Sequence, residues 1–134
     1  IHIAPLGQHK KIFFASDFHL GAAGHITPQQ HEQVIIHWLD TIQPEAHALF
    51  LLGDIFDFWF EYQHVIPKGF LRLQSKLAFF ADQGIPVYLF TGNHDCWMQD
   101  YFHQELHIQV IHGNATIRIG QISMLVGHGD ELVG

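Results

Sequence analysis

The sequence has 134 residues and a mass of 15.4 kDa, a size typical of one domain rather than two. Hydrophobic residues make up 48% of the chain and charged residues 14%, a balance that excludes a disordered protein. The formal net charge of −7 argues against a protein that binds nucleic acid through a broad basic surface, so we expect no nucleic-acid partner.

Apolar runs and turn signals predict alternating strands and helices along the chain. Residues 11–15 form a short aromatic-rich run, which predicts a buried strand. The segment Thr27-Pro28-Gln29-Gln30 is a capping box with proline at the first helical position, and it predicts a helix over 28–42. Further strands are predicted at 48–52, 87–91, 115–119 and 121–126, further helices at 68–83 and about 97–106, and an extended segment at 108–111.

This order predicts one α/β domain over residues 1–134. Continuous apolar strands that alternate with helices indicate a mainly parallel sheet with both faces covered, and the last two strands are predicted to form a hairpin. Ligands bind beyond the carboxyl ends of the strands in such sheets. The single cysteine, Cys96, excludes an internal disulfide framework, fits a cytoplasmic location and is expected to be a buried thiol.

Polar motifs rich in carboxylate and imidazole groups follow four of the predicted strands. They are Ser16-Asp17-Phe18-His19, Gly53-Asp54-Ile55-Phe56-Asp57, Gly92-Asn93-His94-Asp95 and Gly127-His128-Gly129-Asp130. Asp17 and His19 are two residues apart, so in an extended segment their side chains leave on the same side. Each motif alone is more typical of a turn, but four of them at strand ends indicate a metal site. Mixed carboxylate, imidazole and amide ligands suit divalent Mn, Fe or Zn.

In this order the motifs resemble the D-x-H, GD-x-x-D, GNH-D/E and GH patterns of the calcineurin-like metallophosphoesterase superfamily. The resemblance implies a hydrolase built as a sandwich of mixed sheets flanked by helices. It also implies two divalent metal ions, with manganese expected and iron or zinc as alternatives. Asp17 and His19 would bind the first metal, Asp54 would bridge both metals, and Asn93 and His128 would bind the second.

The same resemblance implies roles for four further residues. His94 and Asp95 would be the catalytic pair, in which His94 faces the substrate phosphate without binding metal and Asp95 holds that imidazole in orientation. Asp57 and Asp130 would support the metal ligands from behind, since such partners fix the orientation of ligand side chains.

The closing GH-x-H motif of the superfamily is absent from the sequence. We therefore expect the chain to be the N-terminal part of a longer protein whose C-terminal part completes the sandwich. Within the superfamily, Leu52–Tyr62 and Val126–Asp130 resemble the group that cleaves UDP-2,3-diacylglucosamine to UMP and 2,3-diacylglucosamine 1-phosphate in lipid A synthesis. Well-studied members of that group carry arginine at the position of His94. The alternatives are a phosphodiesterase acting on soluble nucleotides and an inactive scaffold.

Aromatic and basic residues near the motifs suggest contacts with a nucleotide-sugar lipid. Phe58 and Trp59 are expected to bind the acylated substrate, with core packing as the alternative. Lys68, Arg72 and Lys76 are four residues apart and share one face of the predicted helix. That face is either solvated or in peripheral contact with the inner membrane.

Overall fold

Strands and helices alternate along the chain, as the sequence predicts. The computed structural model describes residues 1–130. Its strands are β1 (His2–Ile3), β2 (Lys11–Ala15), β3 (Ala46–Leu52), β4 (Val87–Phe90), β5 (Gln109–Ile111), β6 (Ala115–Ile119) and β7 (Ile122–Val126). Its helices are α1 (Pro28–Ile42), α2 (Leu71–Asp82) and α3 (Tyr101–Leu106), with a 3-10 turn at Gln43–Glu45.

The larger sheet has the strand order β2-β3-β4-β5, and each neighbouring pair is parallel. Each of α1, α2 and α3 lies between two of these strands in the sequence, so the sheet is built from three consecutive βαβ units. In this topology the carboxyl ends of all four strands meet at one edge. The motifs that follow β2, β3 and β4 are therefore brought to the same place.

The central strand β3 is almost uniformly apolar because both of its faces are buried. Leu49 and Leu51 pack in the core between the parallel sheet and the helices. Ala48 and Phe50 point to the opposite face and pack in a second core. Because successive side chains of a strand alternate between faces, a strand covered on both sides needs apolar residues at every position.

The second core lies between the parallel sheet and a smaller sheet with the strand order β1-β6-β7. The hairpin of β6 and β7 is antiparallel, as predicted, and β1 pairs with β6 in parallel. Ile3 and Ile117 of the smaller sheet are buried in this core with Phe50 and Phe90. The protein is thus a mixed α/β sandwich flanked by helices, which confirms the predicted fold class.

Helix α1 begins and ends where the sequence predicts. Thr27 Oγ1 accepts a hydrogen bond from the Gln30 amide at 3.1 Å, and Gln30 Oε1 accepts one from the Thr27 amide at 2.9 Å. This reciprocal pair satisfies two amides that the helix itself leaves without partners. None of the helices within residues 1–130 has both the length and the apolar character required to cross a bilayer.

The predicted starts of α2 and α3 are wrong by several residues. Gly69 and Phe70 have φ angles of 105° and 55°, so helical geometry begins only at Leu71 and Lys68 lies in the preceding turn. Residues 97–100 are not helical, and Trp97 forms a parallel bridge with Phe60 instead. A contact between two distant loops therefore competes with helix formation there.

Candidate metal centre

The loops that follow β2 and β3 are joined by backbone hydrogen bonds at the carboxyl edge of the parallel sheet. The Asp17 amide donates to the Gly53 carbonyl at 3.0 Å, and the His19 amide donates to the Asp54 carbonyl at 2.9 Å. A third bond joins Leu20 to Ile55. The first two motifs therefore lie side by side, although 33 residues lie between them in the sequence.

Three of the predicted ligands have left-handed backbone geometry. The φ angles of Asp17, His19 and Asp54 are 58°, 49° and 50°. This region costs a residue with a side chain about 1 kcal/mol or more, and such residues cluster at functional sites. The hydrogen bonds between the two loops hold this geometry and aim the three side chains at one point.

Asp54 occupies the centre of the site and is buried. Its Oδ2 lies 3.7 Å from His19 Nε2 and 3.3 Å from His128 Nε2. Its Oδ1 accepts a hydrogen bond from the His94 amide at 2.9 Å. One carboxylate thus faces imidazoles from two different motifs.

Two groups of potential ligands share this carboxylate. Asp17, Asp54 and His128 form one group, and His19, Asp54 and His94 form the other; within each group the ligand atoms lie within 4.8 Å of one another. Asn93 Oδ1 is 3.2 Å from His128 Nε2, so the fifth predicted ligand lies beside the first group. The structure therefore brings all five predicted ligands together, and which ion each one binds stays a prediction.

The histidine rings have the orientation that metal ligands need. His19 Nδ1 lies 3.2 Å from Asp57 Oδ1, and His128 Nδ1 lies 2.8 Å from the Leu52 carbonyl oxygen. Both oxygens are acceptors, so each Nδ1 carries a proton, and each Nε2 is the nitrogen that faces Asp54. A ligand histidine whose other nitrogen donates to an oxygen is the usual arrangement at metal sites. The residues present therefore fit divalent cations.

The pKa of His128 is raised above its ordinary value by its surroundings. Burial lowers this pKa, but the Leu52 carbonyl and the carboxylates of Asp54, Asp17 and Asp130 together outweigh burial. The imidazolium form therefore persists to a higher pH than in an isolated histidine. A divalent cation at this site would replace the proton and relieve the same concentration of negative charge.

Asp95 does not orient His94, and this part of the prediction is wrong. Asp95 Oδ1 accepts hydrogen bonds from the amides of Asp54 (3.1 Å) and Gly92 (2.7 Å). Its Oδ2 accepts from the amides of Ile55 (2.9 Å) and Phe56 (3.3 Å). Burial raises the pKa of Asp95, the donated hydrogen bonds oppose that rise, and the nearby Asp54 adds to it. Asp95 therefore fixes the backbone conformation of the segment that carries Asp54.

His94 is oriented by Asp57 instead. His94 Nδ1 donates to the Asp57 carbonyl oxygen at 3.0 Å and lies 3.4 Å from Asp57 Oδ1. Because the Asp57 carboxylate also contacts His19, Asp57 supports two imidazoles at once. Asp130 is exposed, and its negative charge helps to raise the pKa of His128.

Two glycines are required by the close packing of these loops. A Cβ on Gly53 would lie 2.8 Å from both the Gly92 amide nitrogen and His128 Nδ1. A Cβ on Gly92 would overlap Asp54 Oδ1 and lie 2.6 Å from the Asp54 amide nitrogen. Distances under 3.0 Å require a neighbour to move, so side chains at these positions would displace the candidate ligands.

The aromatic residues after Asp54 divide between the core and the surface. Phe56 and Trp59 are buried, and Trp59 Nε1 donates to Glu61 Oε2 at 3.0 Å, so the core-packing alternative describes Trp59. Phe58 is 61% exposed and is the one of the two predicted substrate contacts that a ligand can reach. Its neighbour Trp97 lies 6.4 Å away between ring centroids.

An exposed aromatic ridge lies beside the candidate metal centre. Its members are the exposed Phe58, Tyr62 and Trp97 and the half-buried Phe60, with centroid distances of 4.8–6.4 Å between neighbouring rings. The sequence analysis missed Trp97 because its partners are almost 40 residues away and meet it only in the folded protein, where Trp97 forms a bridge with Phe60. Cys96, expected to be buried, is exposed in the same loop.

Comparisons with known proteins agree with this geometry. The family model of calcineurin-like phosphoesterases matches residues 10–130. The UDP-2,3-diacylglucosamine hydrolase of Porphyromonas gingivalis is 41% identical over 92% of this chain and 47% of its own length. Two enzymes of the same name are also similar. That of Nitrosococcus oceani is 31% identical over 90% of this chain and 46% of its own length, and that of Haemophilus influenzae is 29% identical over 92% of this chain and 50% of its own length. The chain spans about half the length of the curated relatives it matches.

Proposed function

The chain belongs to the calcineurin-like phosphoesterase family, and from that premise we propose that the complete protein carrying it hydrolyses a phosphoester or pyrophosphate bond with two divalent cations. The observation that carries the proposal is the shared carboxylate of Asp54, which faces ligands from both groups. A carboxylate common to two ligand groups is what a pair of neighbouring cations requires.

The donor set supports the choice of cation. Carboxylate, imidazole and amide groups together suit Mn²⁺, and they also accommodate Fe²⁺ or Zn²⁺. When bound, such cations acidify a water molecule and neutralise charge on phosphorus oxygens. The part of this chain is to hold the ligands: Asp57 and the Leu52 carbonyl fix the rings of His19 and His128 with Nε2 directed inward.

His94 is the proposed general acid or phosphate-binding group. Its Nδ1 is occupied by the Asp57 carbonyl oxygen, so Nε2 is the nitrogen available to a substrate. In the protonated state, Nε2 donates a hydrogen bond to a phosphate oxygen or a proton to the leaving oxygen. The ring is partly exposed, which leaves this nitrogen accessible.

The proposed substrate is UDP-2,3-diacylglucosamine, cleaved to UMP and 2,3-diacylglucosamine 1-phosphate. Three relatives bear the name of this activity, and the match includes 90% or more of the chain. The aromatic ridge gives independent support, because exposed aromatic rings beside a site favour an apolar ligand over a purely polar one. Phe58 is the ridge residue nearest in sequence to Asp57 and is proposed to contact the acylated part.

Comparing two substrates tests this proposal. With Mn²⁺, the complete protein should release UMP from the acylated nucleotide sugar with a higher kcat/KM than it shows on a soluble phosphodiester. Phe58→Ser should raise KM for the acylated substrate several-fold and leave the soluble diester unaffected. Ile122→Ser is the matched control, since Ile122 on β7 is 62% exposed and lies outside the ridge.

The two outcomes that contradict the proposal differ. Hydrolysis of neither substrate by metal-loaded protein would favour the inactive scaffold. A preference for the soluble diester, unchanged by Phe58→Ser, would favour the nucleotide phosphodiesterase.

We also propose a peripheral contact with an anionic membrane surface, through the groove between α1 and α2. Leu71 is 71% exposed and lines this groove with Phe79, Arg72 and Lys76. Lys68 borders the adjoining groove. Apolar side chains flanked by cations are typical of surfaces that bind anionic headgroups.

Vesicle sedimentation tests this contact. Binding to phosphatidylglycerol vesicles should exceed binding to phosphatidylcholine vesicles and should fall in Leu71→Glu but not in Ile122→Glu. Equal binding to both lipids, or an unchanged Leu71→Glu variant, would contradict the contact.

A further inference from the structure

Glu61 is a buried carboxylate that accepts hydrogen bonds from three residues. Its exposed fraction is 4%. Glu61 Oε2 accepts from Trp59 Nε1 at 3.0 Å and from the Gln99 amide at 2.9 Å, and Oε1 accepts from the Tyr101 amide at 3.0 Å. Of the other two donors, Gln99 lies in the loop after β4 and Tyr101 begins α3 at the end of that loop, whereas Glu61 itself belongs to the loop after β3.

Backbone contacts at the same position join these two loops further. The Glu61 amide donates to the Trp97 carbonyl at 3.4 Å, next to the bridge between Phe60 and Trp97. Gln99 Nε2 donates to the Glu61 carbonyl at 3.4 Å. Glu61 thus contacts residues 97, 99 and 101 and is the centre of the connection between the loops.

The connection matters because the two loops carry the two halves of one contact in the candidate metal centre. The Asp57 carbonyl that orients His94 Nδ1 belongs to the first loop, and His94 belongs to the second. His94 is also 4.9 Å from His19, edge to face, between ring centroids. A change in the spacing of the loops would therefore move His94 relative to its neighbours.

The chemistry of Glu61 indicates more than ordinary packing. Burying a carboxylate is costly unless hydrogen bonds compensate it, and an apolar residue would serve simple packing better. Among residues 1–130, no lysine, arginine or histidine forms an ion pair with Glu61. Its negative charge is stabilised by the three N–H donors. Because these donors lie on both sides of the contact, the hydrogen bonds fix the position of one loop relative to the other.

We propose that Glu61 is a positioning residue for His94: its carboxylate fixes the spacing of the loops after β3 and β4 and so places His94 Nε2 for the reaction. This inference rests on the proposed phosphoester hydrolysis. It assigns Glu61 no contact with substrate or metal.

Turnover of a small substrate tests the proposal in the complete protein. Glu61→Ala, assayed on bis(4-nitrophenyl) phosphate with Mn²⁺, should lower kcat at least tenfold while KM stays within twofold and bound metal per chain is unchanged. This split is expected because a hydrogen bond or proton given by His94 to an oxygen that gains negative charge during the reaction stabilises the transition state more than the bound substrate. Glu105→Gln is the matched control, since Glu105 is exposed on α3.

A second variant keeps the test decisive if Glu61→Ala does not fold. In Glu61→Gln the amide oxygen can still accept from Trp59 and Gln99, whereas its NH₂ group faces the Tyr101 amide. We expect a loss of kcat smaller than that of Glu61→Ala, together with faster hydrogen exchange of the Tyr101 amide.

Three outcomes would overturn the proposal. The first is a folded Glu61→Ala variant with kcat within twofold of wild type, and the second is loss of metal in parallel with kcat. The third is an unchanged ¹⁵N chemical shift of His94 Nδ1 in both variants. This last measurement needs no turnover, so it tests the positioning role even if the wild-type protein hydrolyses neither substrate and the proposed function fails.

Discussion

Three histidines at the candidate metal centre have the same relation to their surroundings. His19, His94 and His128 each place Nδ1 2.8–3.2 Å from an oxygen of the protein. Because those oxygens are acceptors, each Nδ1 donates a proton to one of them, and Nε2 is the nitrogen that faces a cation or a substrate. Whether such a histidine binds a metal or acts on the substrate thus depends on where its Nε2 points. For His94, a substitution distinguishes the two roles.

Replacing His94 separates these roles. Because His94 is proposed to act on the phosphate and not as a ligand, His94→Ala should retain bound metal and lose turnover by about 10²–10⁴-fold. Metal analysis and steady-state kinetics provide the check, with His103→Ala, an exposed position on α3, as the control. Since His94 lies in a potential ligand group with His19 and Asp54, loss of metal would make it a ligand instead.

Metal affinity should depend on pH through His128. Its raised pKa means that the folded protein keeps a proton on this ring to a higher pH than an isolated histidine does, and a metal must displace that proton. We expect Mn²⁺ affinity to be constant well above this pKa and to fall by about tenfold per pH unit, for one displaced proton, as the pH drops below it. Calorimetric titrations between pH 8.5 and 5.5 would show this; a flat affinity would contradict it.

The carboxylate of Asp95 should be essential to stability. In Asp95→Asn, the new NH₂ group must face two backbone amides that now donate to a carboxylate oxygen, whichever way the amide is turned. Unsatisfied buried donors of this kind predict a loss of about 2–4 kcal/mol in the free energy of unfolding, measurable by urea denaturation. Asp100→Asn is the control, because Asp100 is exposed. Equal stability of the two variants would contradict this role.

At the scale of elements, the approach of the loops after β3 and β4 depends on Gly92. Gly92→Ala should destabilise the protein by about 1–3 kcal/mol and weaken metal binding, because its Cβ would meet the Asp54 carboxylate and amide. Gly24→Ala should change neither property, since a Cβ there meets no atom within 4 Å. Thermal unfolding and metal titration of both variants measure this, and similar behaviour of the pair would show that the close approach is unimportant.

The presence of β2 to β7, of the three helices and of the strand-end motifs was predictable because each depends on local signals. Helix α1 has its own capping box, and β3 is a continuous apolar run. The parallel topology then brings the ends of β2, β3 and β4 to one edge, so convergence of the motifs follows from the order of elements.

The features that sequence analysis misjudged depend on distant contacts. Strand β1 has two residues, too few for a periodic pattern, and exists because β6 pairs with it. Asp95 was assigned to His94 through the family resemblance, whereas its carboxylate accepts hydrogen bonds from the backbone of Asp54, Ile55 and Phe56. Residue type and spacing in the sequence indicate neither the pairing of β1 with β6 nor the backbone contacts of Asp95.

At the scale of the whole molecule, the parallel sheet is shared by two cores. One core joins this sheet to the three helices, and the other joins it to the smaller sheet that carries His128 at the end of β7. The position of His128 beside Asp54 therefore depends on the packing of the two sheets. The candidate metal centre lies at the ends of strands from both sheets, so it forms only when the two sheets pack against each other.

Counting bound metal in protein with and without Asp54 tests the central claim, that one carboxylate serves two cations. The complete protein loaded with Mn²⁺ should hold two ions per chain and hydrolyse its phosphoester substrate. Asp54→Ala should hold fewer than one ion per chain and show no turnover. If Asp54→Ala does not fold, Asp54→Asn should give the same result. The control variant Asp100→Ala should hold two ions and keep full turnover. An Asp54→Ala or Asp54→Asn protein that keeps two ions and full activity would contradict the claim.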